Sequence, residues 1–506
     1  MKVSGKRWKQ ISSLALVTAL VAVTGCGDKS GGTGKEGAAS GDSGKKQKIS
    51  MMYPLYGNPP QKTEVWKKME EAVGIEYESM AIPSAQYPEK LKASIAANSL
   101  PDITHYMSFP DPNFTQYAKQ GAFLQLDDYI KDTKNLKNLP QSMWDFIKID
   151  GKTYGIPRPA QMERAVVIRK DWLDNLGLPI PKTLDEFYDT AVKFAKNDPD
   201  KNGKEDTVGI VLNQTLGYHL DPVFMAFDTG NGWRKMEDGT LMNSAITPQR
   251  KEALMWLAKL YKDGGIDKNF TVMKDNQMWE TLESGKAGIF FGAQTSDYSR
   301  FVTNLKKVDP KAELIMIAPP VGKDGKTGFP DGVGMFGQFV LPANISKEKA
   351  KKAIELLDWQ AGQEAHLLRK VGVEGVHHKK NADGTIEMIG DKYAQDGIAY
   401  LIWNVPNDPL VSVPLSAPKD IQEAVKNNLT VVSKLGVVSP AVAYMPSTNV
   451  SKNFADLDQL MRGLSVKMVI GEATDKDFDK FAAEWNKRGG EAWTKEVNEW
   501  YKQQKK

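Results

Sequence analysis

The sequence predicts an α/β fold of two lobes or more, and three observations carry that expectation. Short β-type runs alternate with amphipathic helical patterns along the chain, which argues for stacked layers of helix and sheet. About 458 residues follow residue 48, more than one hydrophobic core accommodates. Cys26 is the only cysteine in 506 residues, so the fold is held without disulfides, and neither a CxxC pair nor a thiol nucleophile is available.

The chain opens with four cations (Lys2, Lys6, Arg7, Lys9), an apolar run over 11–23, and Val23-Thr24-Gly25-Cys26. A basic segment, an apolar segment and small residues at a cut site make a secretory signal over 1–25. The run of roughly 13 apolar residues is short of the ~20 a spanning helix needs. With Cys at the cut, it resembles a bacterial lipoprotein signal, which implies lipid (palmitate) on Cys26 as the mature N-terminus. Residues 26–48 then read as the lipidated cysteine and a tether of Gly, Ser, Ala and charge, too poor in apolar surface to fold. Of the 67 basic residues four lie in the leader, leaving 63 against 63 acidic ones in the mature chain. With that balance, and without a basic stripe interleaved with aromatics, no nucleic-acid partner is expected.

Past the tether, 49–53 reads as a strand, a helix begins near Thr63 with Val65, Met69 and Val73 on one face, and 75–82 is a second strand. A short helix over 88–98 and a strand over 102–106 complete a βαβαβ opening. Its strand ends bring Tyr53, Tyr56, His105 and Tyr106 to one sheet edge, where open α/β sheets hold ligands. Thr183 to Glu186 is a capping box, Thr247-Pro248 an N-cap followed by a first-turn proline, and Ser346 and Thr474 are further helix starts. Strands are expected at 208–212, 287–292, 314–317 and 339–341. No internal repeat is evident.

Four stretches resemble the extracellular solute-binding lipoproteins of ABC transporters, in particular the large saccharide-binding group. They are Tyr154-Gly-Ile-Pro157 with Ile168 to Leu178 and Pro181 to Glu186; Leu257 to Asp267 with Glu283 to Phe290; Gly372 to His377; and Phe478 to Phe481 with Trp485, Gly489-Gly490 and Asn498 to Tyr501. Smaller sugar-binding relatives often carry Tyr-Asn where this chain has Ile168-Arg169, which points to the longer oligosaccharide subgroup. The resemblance implies a two-lobed periplasmic-binding-protein-like α/β fold with an interlobe hinge and a central ligand cleft. Lobe one is expected over 49–165 with 290–345, and lobe two over 166–289 with 346–506. It also implies a monomer, lipid-anchored on the extracytoplasmic face of a bacterial membrane, that delivers a carbohydrate to ABC permease subunits.

The most legible chemistry is Asp198-Pro-Asp-Lys-Asn-Gly-Lys-Glu-Asp206. Asp198, Asp200 and Asn202 fall at positions 1, 3 and 5 of an EF-hand-type loop, Gly203 at 6, the Lys204 carbonyl at 7 and Asp206 at 9. Position 12 is Gly209 where a bidentate Glu is usual, and calcium-binding relatives often have an acid at Thr207, so the expected structural Ca2+ has fewer ligands than ideal. A polar turn capped by Asp and Asn explains the same residues.

Sugar binding needs flat apolar faces and fixed polar groups in a concave site. Tyr53, Tyr56, His105, Tyr106, Trp233, Phe291 and Trp403 fall at strand ends or in loops and are the candidate ligand contacts; each also reads as a core or rim residue. Trp66, Trp256, Trp359 and Trp485 lie in helical patterns and read as packing residues. Arg158, Arg164 and Arg169 surround the expected hinge loop, where an arginine either grips a ligand or locks the crossing strand. Glu374 sits in a Gly-rich turn as a further ligand candidate. No nucleophile elbow, zinc motif or P-loop is present, so a binding protein and not an enzyme is expected. The rival readings are a secreted polysaccharide hydrolase, which would use two carboxylates across a cleft, and a ligand-binding sensor subunit.

Overall fold

The computed structural model describes residues 46–107, 111–161, 163–382 and 384–504, with Pro112 described in backbone only. The leader, Cys26 and most of the expected tether lie outside the described residues. Two mixed sheets organise the rest. The first runs in the order Ile75–Pro83, Gln47–Leu55, Ile103–Tyr106, Met335–Val340, Ile156–Pro159. Its first three strands are parallel, joined by the helices Glu64–Val73 and Tyr87–Ala96 as the opening pattern predicts, and Met335–Val340 inserts antiparallel between the third strand and Ile156–Pro159. The second sheet runs Leu314–Ile317, Arg164–Arg169, Ala287–Gln294, Val208–Ile210.

Side-chain alternation along each strand feeds two faces. In Arg164–Arg169, Val166 and Ile168 join one core while Ala165 and Val167 join another. In Gln47–Leu55, Ile49, Met51 and Tyr53 face the main core of the first lobe, and Met52 faces the cluster of Tyr87, Tyr106, Phe114 and Phe123. Helices begin where the sequence signals them. The Thr183 hydroxyl accepts from Glu186 N at 3.2 Å and the Glu186 carboxylate accepts from Thr183 N at 3.1 Å. Thr247 and Ser346 cap Pro248–Lys262 and Lys347–Gln360.

Each sheet with its helices is one lobe of a two-lobed α/β fold, but the sheet pairings redraw the expected boundaries. Of 290–345, only Met335–Val340 pairs in the first sheet; Ala287–Gln294 and Leu314–Ile317 hydrogen-bond to Arg164–Arg169 and so belong to the second. Conversely, 347–403 does not go with lobe two. Ile354, Leu357, Leu401 and Trp403 pack into the core built on Tyr53 and Ile49, and Asp358 fixes that helix to the first lobe. Its carboxylate accepts from Lys134 N, Asn135 N and Leu136 N at 2.9, 2.8 and 2.9 Å. Among the described residues the chain therefore crosses between lobes three times, at 160–161, 332–334 and 404–410. The three crossings lie side by side: Ala160 N donates to Gly334 O at 2.8 Å, and Gln161 Nε2 to Asn407 Oδ1 at 2.8 Å.

Candidate functional site

The crossings carry an aromatic layer with a guanidinium laid on it. Tyr56 follows the first strand and is 50% exposed, its ring stacked on Trp403 at 6.3 Å and 15°. Tyr400 stacks on the same indole at 6.3 Å and 26°, and Tyr53 lies beneath it at 5.5 Å. A Cβ on Gly57 would stand 2.7 Å from the Tyr400 ring, so the backbone itself presses against this tyrosine. Arg158 Nε donates to the Trp403 carbonyl at 2.9 Å, with the guanidinium 4.6 Å from the Trp403 ring centroid and 5.3 Å from that of Phe336.

His105 ties this layer to the sheet. Trp403 Nε1 donates to His105 Nδ1 at 3.1 Å, which leaves the ring proton on Nε2, donating to the Phe336 carbonyl at 2.7 Å. Burial first, and the Arg158 charge second, pull its pKa down to about 3, so the ring stays neutral across the physiological range. Gly337, at φ +76°, makes the arrangement possible: a Cβ there would stand 2.4 Å from Tyr106 O and 2.9 Å from His105 Nε2.

Next to this layer lies a group of charges. Arg369 and Lys370 end the helix Gln363–Val371, and Glu163 leads out of the first crossing, its carboxylate accepting the Ser412 hydroxyl. Burial and then Arg369 bring Arg158 down to about 9, while Tyr56 and Glu163 oppose the shift. Burial and then Arg369 bring Lys370 down to about 8, again opposed by Glu163. His366, one turn earlier on that helix, is lowered to about 4 by burial and by the same two cations.

Of the residues predicted as ligand contacts, Tyr56 and Arg158 meet at this surface, with Trp403 behind them. Tyr53 and His105 are fully buried beneath it, so their rings support the layer and have no free face for a ligand. Tyr106 is buried against Phe114, its hydroxyl donating to Asp111 at 2.6 Å, and Phe291 is buried against Phe187 in the second lobe; both are core residues. Trp233 packs edge-on against Trp493 and borders a separate cavity of about 250 Å³ with Asn231, Arg234 and Val437. Glu374 is exposed in the turn that pairs with His378. Arg169 is a lock: its guanidinium bonds Asp171 twice, at 2.9 and 2.6 Å, Asp309 at 3.2 Å and the Gly285 carbonyl at 3.2 Å. Sequence reasoning missed Tyr400, Phe336, Glu163, Arg369 and Lys370. Two cations in a last helical turn read as ordinary dipole partners, and nothing local marks that they face a crossing.

The acidic loop turns as its spacing predicts, with Gly203 at φ +76°. Asp198 accepts from Asn202 N and Gly203 N at 3.0 Å each, and Asn202 Nδ2 donates to Asp200 and Asp206 at 2.8 and 3.1 Å. Burial and then Asp198 raise the Asp200 pKa, with Asp206 adding to it, as converging carboxylates do. This oxygen-only donor set suits a hard cation, although among the described residues no three His, Cys, Asp or Glu side chains gather into a formed metal centre.

A family model described as bacterial extracellular solute-binding protein matches residues 57–366. The polygalacturonan/rhamnogalacturonan-binding protein YtcQ of Bacillus subtilis is 30% identical over 99% of this chain and 100% of its own length. Lipoprotein LipO of the same organism is 29% identical over 99% of each chain. Among solved structures, the ABC-transporter substrate-binding protein FusA of Streptococcus pneumoniae, in complex with kestose, matches with a TM-score of 0.67 at 18% identity, covering 91% of this chain and 99% of that one.

Proposed function

The chain belongs to the bacterial extracellular solute-binding protein family, and on that premise we propose that it captures an oligosaccharide between its lobes and delivers it to an ABC permease. The observation that carries this reading is the exposed Tyr56 ring, backed by Trp403 and Tyr400 where the lobes meet. A tyrosine held rigid from behind offers a flat apolar face to the C–H surface of a sugar, while Arg158 beside it offers donors to hydroxyls. Carbohydrate is also the class in the names of YtcQ and of the FusA complex. The protein binds its ligand without turning it over and works as a monomer on the extracytoplasmic face of the cell membrane, held by lipid on Cys26. Calcium in the loop of Asp198, Asp200, Asn202, Asp206 and the Lys204 carbonyl is structural; it neutralises carboxylates that otherwise repel.

Thermal unfolding of the full chain against a panel of oligosaccharides, with and without calcium, tests this. A ligand that binds only the folded state stabilises it by about 2.7 kcal/mol at a hundredfold excess over Kd. The expected result is a higher melting temperature with a saccharide, a further rise with calcium that Asp200→Asn abolishes, and no new reducing ends on long incubation. New reducing ends would make it a hydrolase instead.

A further inference from the structure

Arg158 and Arg169 are both buried arginines, 8% and 1% exposed, yet they are satisfied in opposite ways. Arg169 spends all three of its nitrogens on two carboxylates and a carbonyl. Arg158 makes a single hydrogen bond, from Nε, and the donors on both its terminal nitrogens have no acceptor among the described residues. Arg369 repeats the pattern, with a buried Nε that has no partner among the described residues. Lys370 follows it on the same helical turn. None of the three pairs with a carboxylate within ion-pair distance among the described residues. Among the described residues Glu163 is the acid whose field reaches all three, and its carboxylate already holds the Ser412 hydroxyl.

Three sheltered cations against one acid are costly in a folded protein unless something else supplies the missing charge. Burial first, and the neighbouring Arg369 charge second, lower the pKa values of Arg158 and Lys370, with Glu163 only partly opposing. Arg169 shows the saturated alternative, and this group differs from it in having three cations gathered beside an exposed aromatic ring. The group also stands beside the one exposed ring of the aromatic layer, so a ligand lying on Tyr56 comes within reach of Arg158. We propose that the captured saccharide is acidic, a uronate-containing oligosaccharide whose carboxylate is gripped by Arg158, Arg369 and Lys370 while a sugar ring lies on Tyr56. The planar carboxylate matches the two free terminal nitrogens of a guanidinium in a way hydroxyls do not. This rests on the carbohydrate reading above and adds the charge of the ligand to it.

The test is calorimetric titration of the full chain with trigalacturonate, with its fully methyl-esterified form, which keeps the sugar chain, removes the charge and adds one methyl per carboxylate, and with kestose. The acid should bind about tenfold or more tightly than the ester, and its affinity should fall as salt rises from about 50 to about 500 mM. Arg158→Gln and Lys370→Gln should each weaken acid binding about tenfold and shift ester binding by less than about threefold. Should Arg158→Gln fail to fold, the half-buried Lys370→Gln decides alone. Equal affinity for acid and ester, or equal losses for both in the variants, overturns the proposal. Binding of kestose alone leaves saccharide capture standing and removes the acidic ligand; binding of no saccharide removes both.

Discussion

At the scale of single residues, burial separates support from contact. Trp403 is the centre of the aromatic layer but is 4% exposed, because Tyr56, Tyr400 and Arg158 cover it. Its work is to hold rings and a guanidinium in place, with His105 as a neutral peg behind it. A second buried group with a functional cost is Asp221, which opens the helix Asp221–Ala226. Burial raises its pKa from 3.8 to about 7, only partly opposed by Arg164 and Arg250. A carboxyl whose pKa is raised by folding favours the folded state fully below the unfolded value and loses that contribution as pH climbs to the folded value. The chain should therefore lose stability between about pH 4 and pH 7 from this group. Asp221→Asn, which cannot ionise, should be more stable than the parent by about 2–4 kcal/mol at pH 8, the gap closing toward pH 4. Urea unfolding at the two pH values reads this directly.

At the scale of elements, what could be read in the sequence was what is decided locally. The opening βαβαβ run and the caps at Thr183, Thr247 and Ser346 stand where composition and spacing put them, because a cap needs only three or four neighbouring residues. Lobe membership depends on partners far away in the chain. Ala287–Gln294 pairs with Arg164–Arg169 more than a hundred residues earlier, and no signal within either segment announces that partner. The same limit hid the site: Tyr56 was legible as a strand-end aromatic, but Arg369 comes within the field of Arg158, and Lys370 within that of Arg369 and Glu163, only through the packing of Gln363–Val371 in the first lobe. Asp358 shows how such long-range placement is enforced. One carboxylate takes three consecutive backbone donors, so Asp358→Ala leaves all three without an acceptor and should cost about 2–4 kcal/mol. Glu348→Ala, exposed on the same helix, should stay within about 0.5 kcal/mol, and denaturant midpoints distinguish the two.

At the scale of the whole molecule, the proposed anchor at Cys26 lies outside the described fold. Among the described residues no helix is long and apolar enough to cross a membrane; the proposed attachment is lipid on Cys26. Cys26→Ser should move the protein from the membrane fraction to the medium without changing its melting temperature, and fractionation of cells expressing each form checks it. The three adjacent crossings at 160–161, 332–334 and 404–410 have a mechanical consequence. A single strap lets two bodies swing and twist freely; three straps bound edge to edge, as Ala160 is to Gly334 and Gln161 to Asn407, act as a leaf flexure that bends about one axis and resists torsion. The lobes then have one soft coordinate. A ligand that touches both need select only a degree of bending, which keeps the loss of orientational freedom on capture small. It also makes the bent shape a faithful report, readable from outside, that the site is filled.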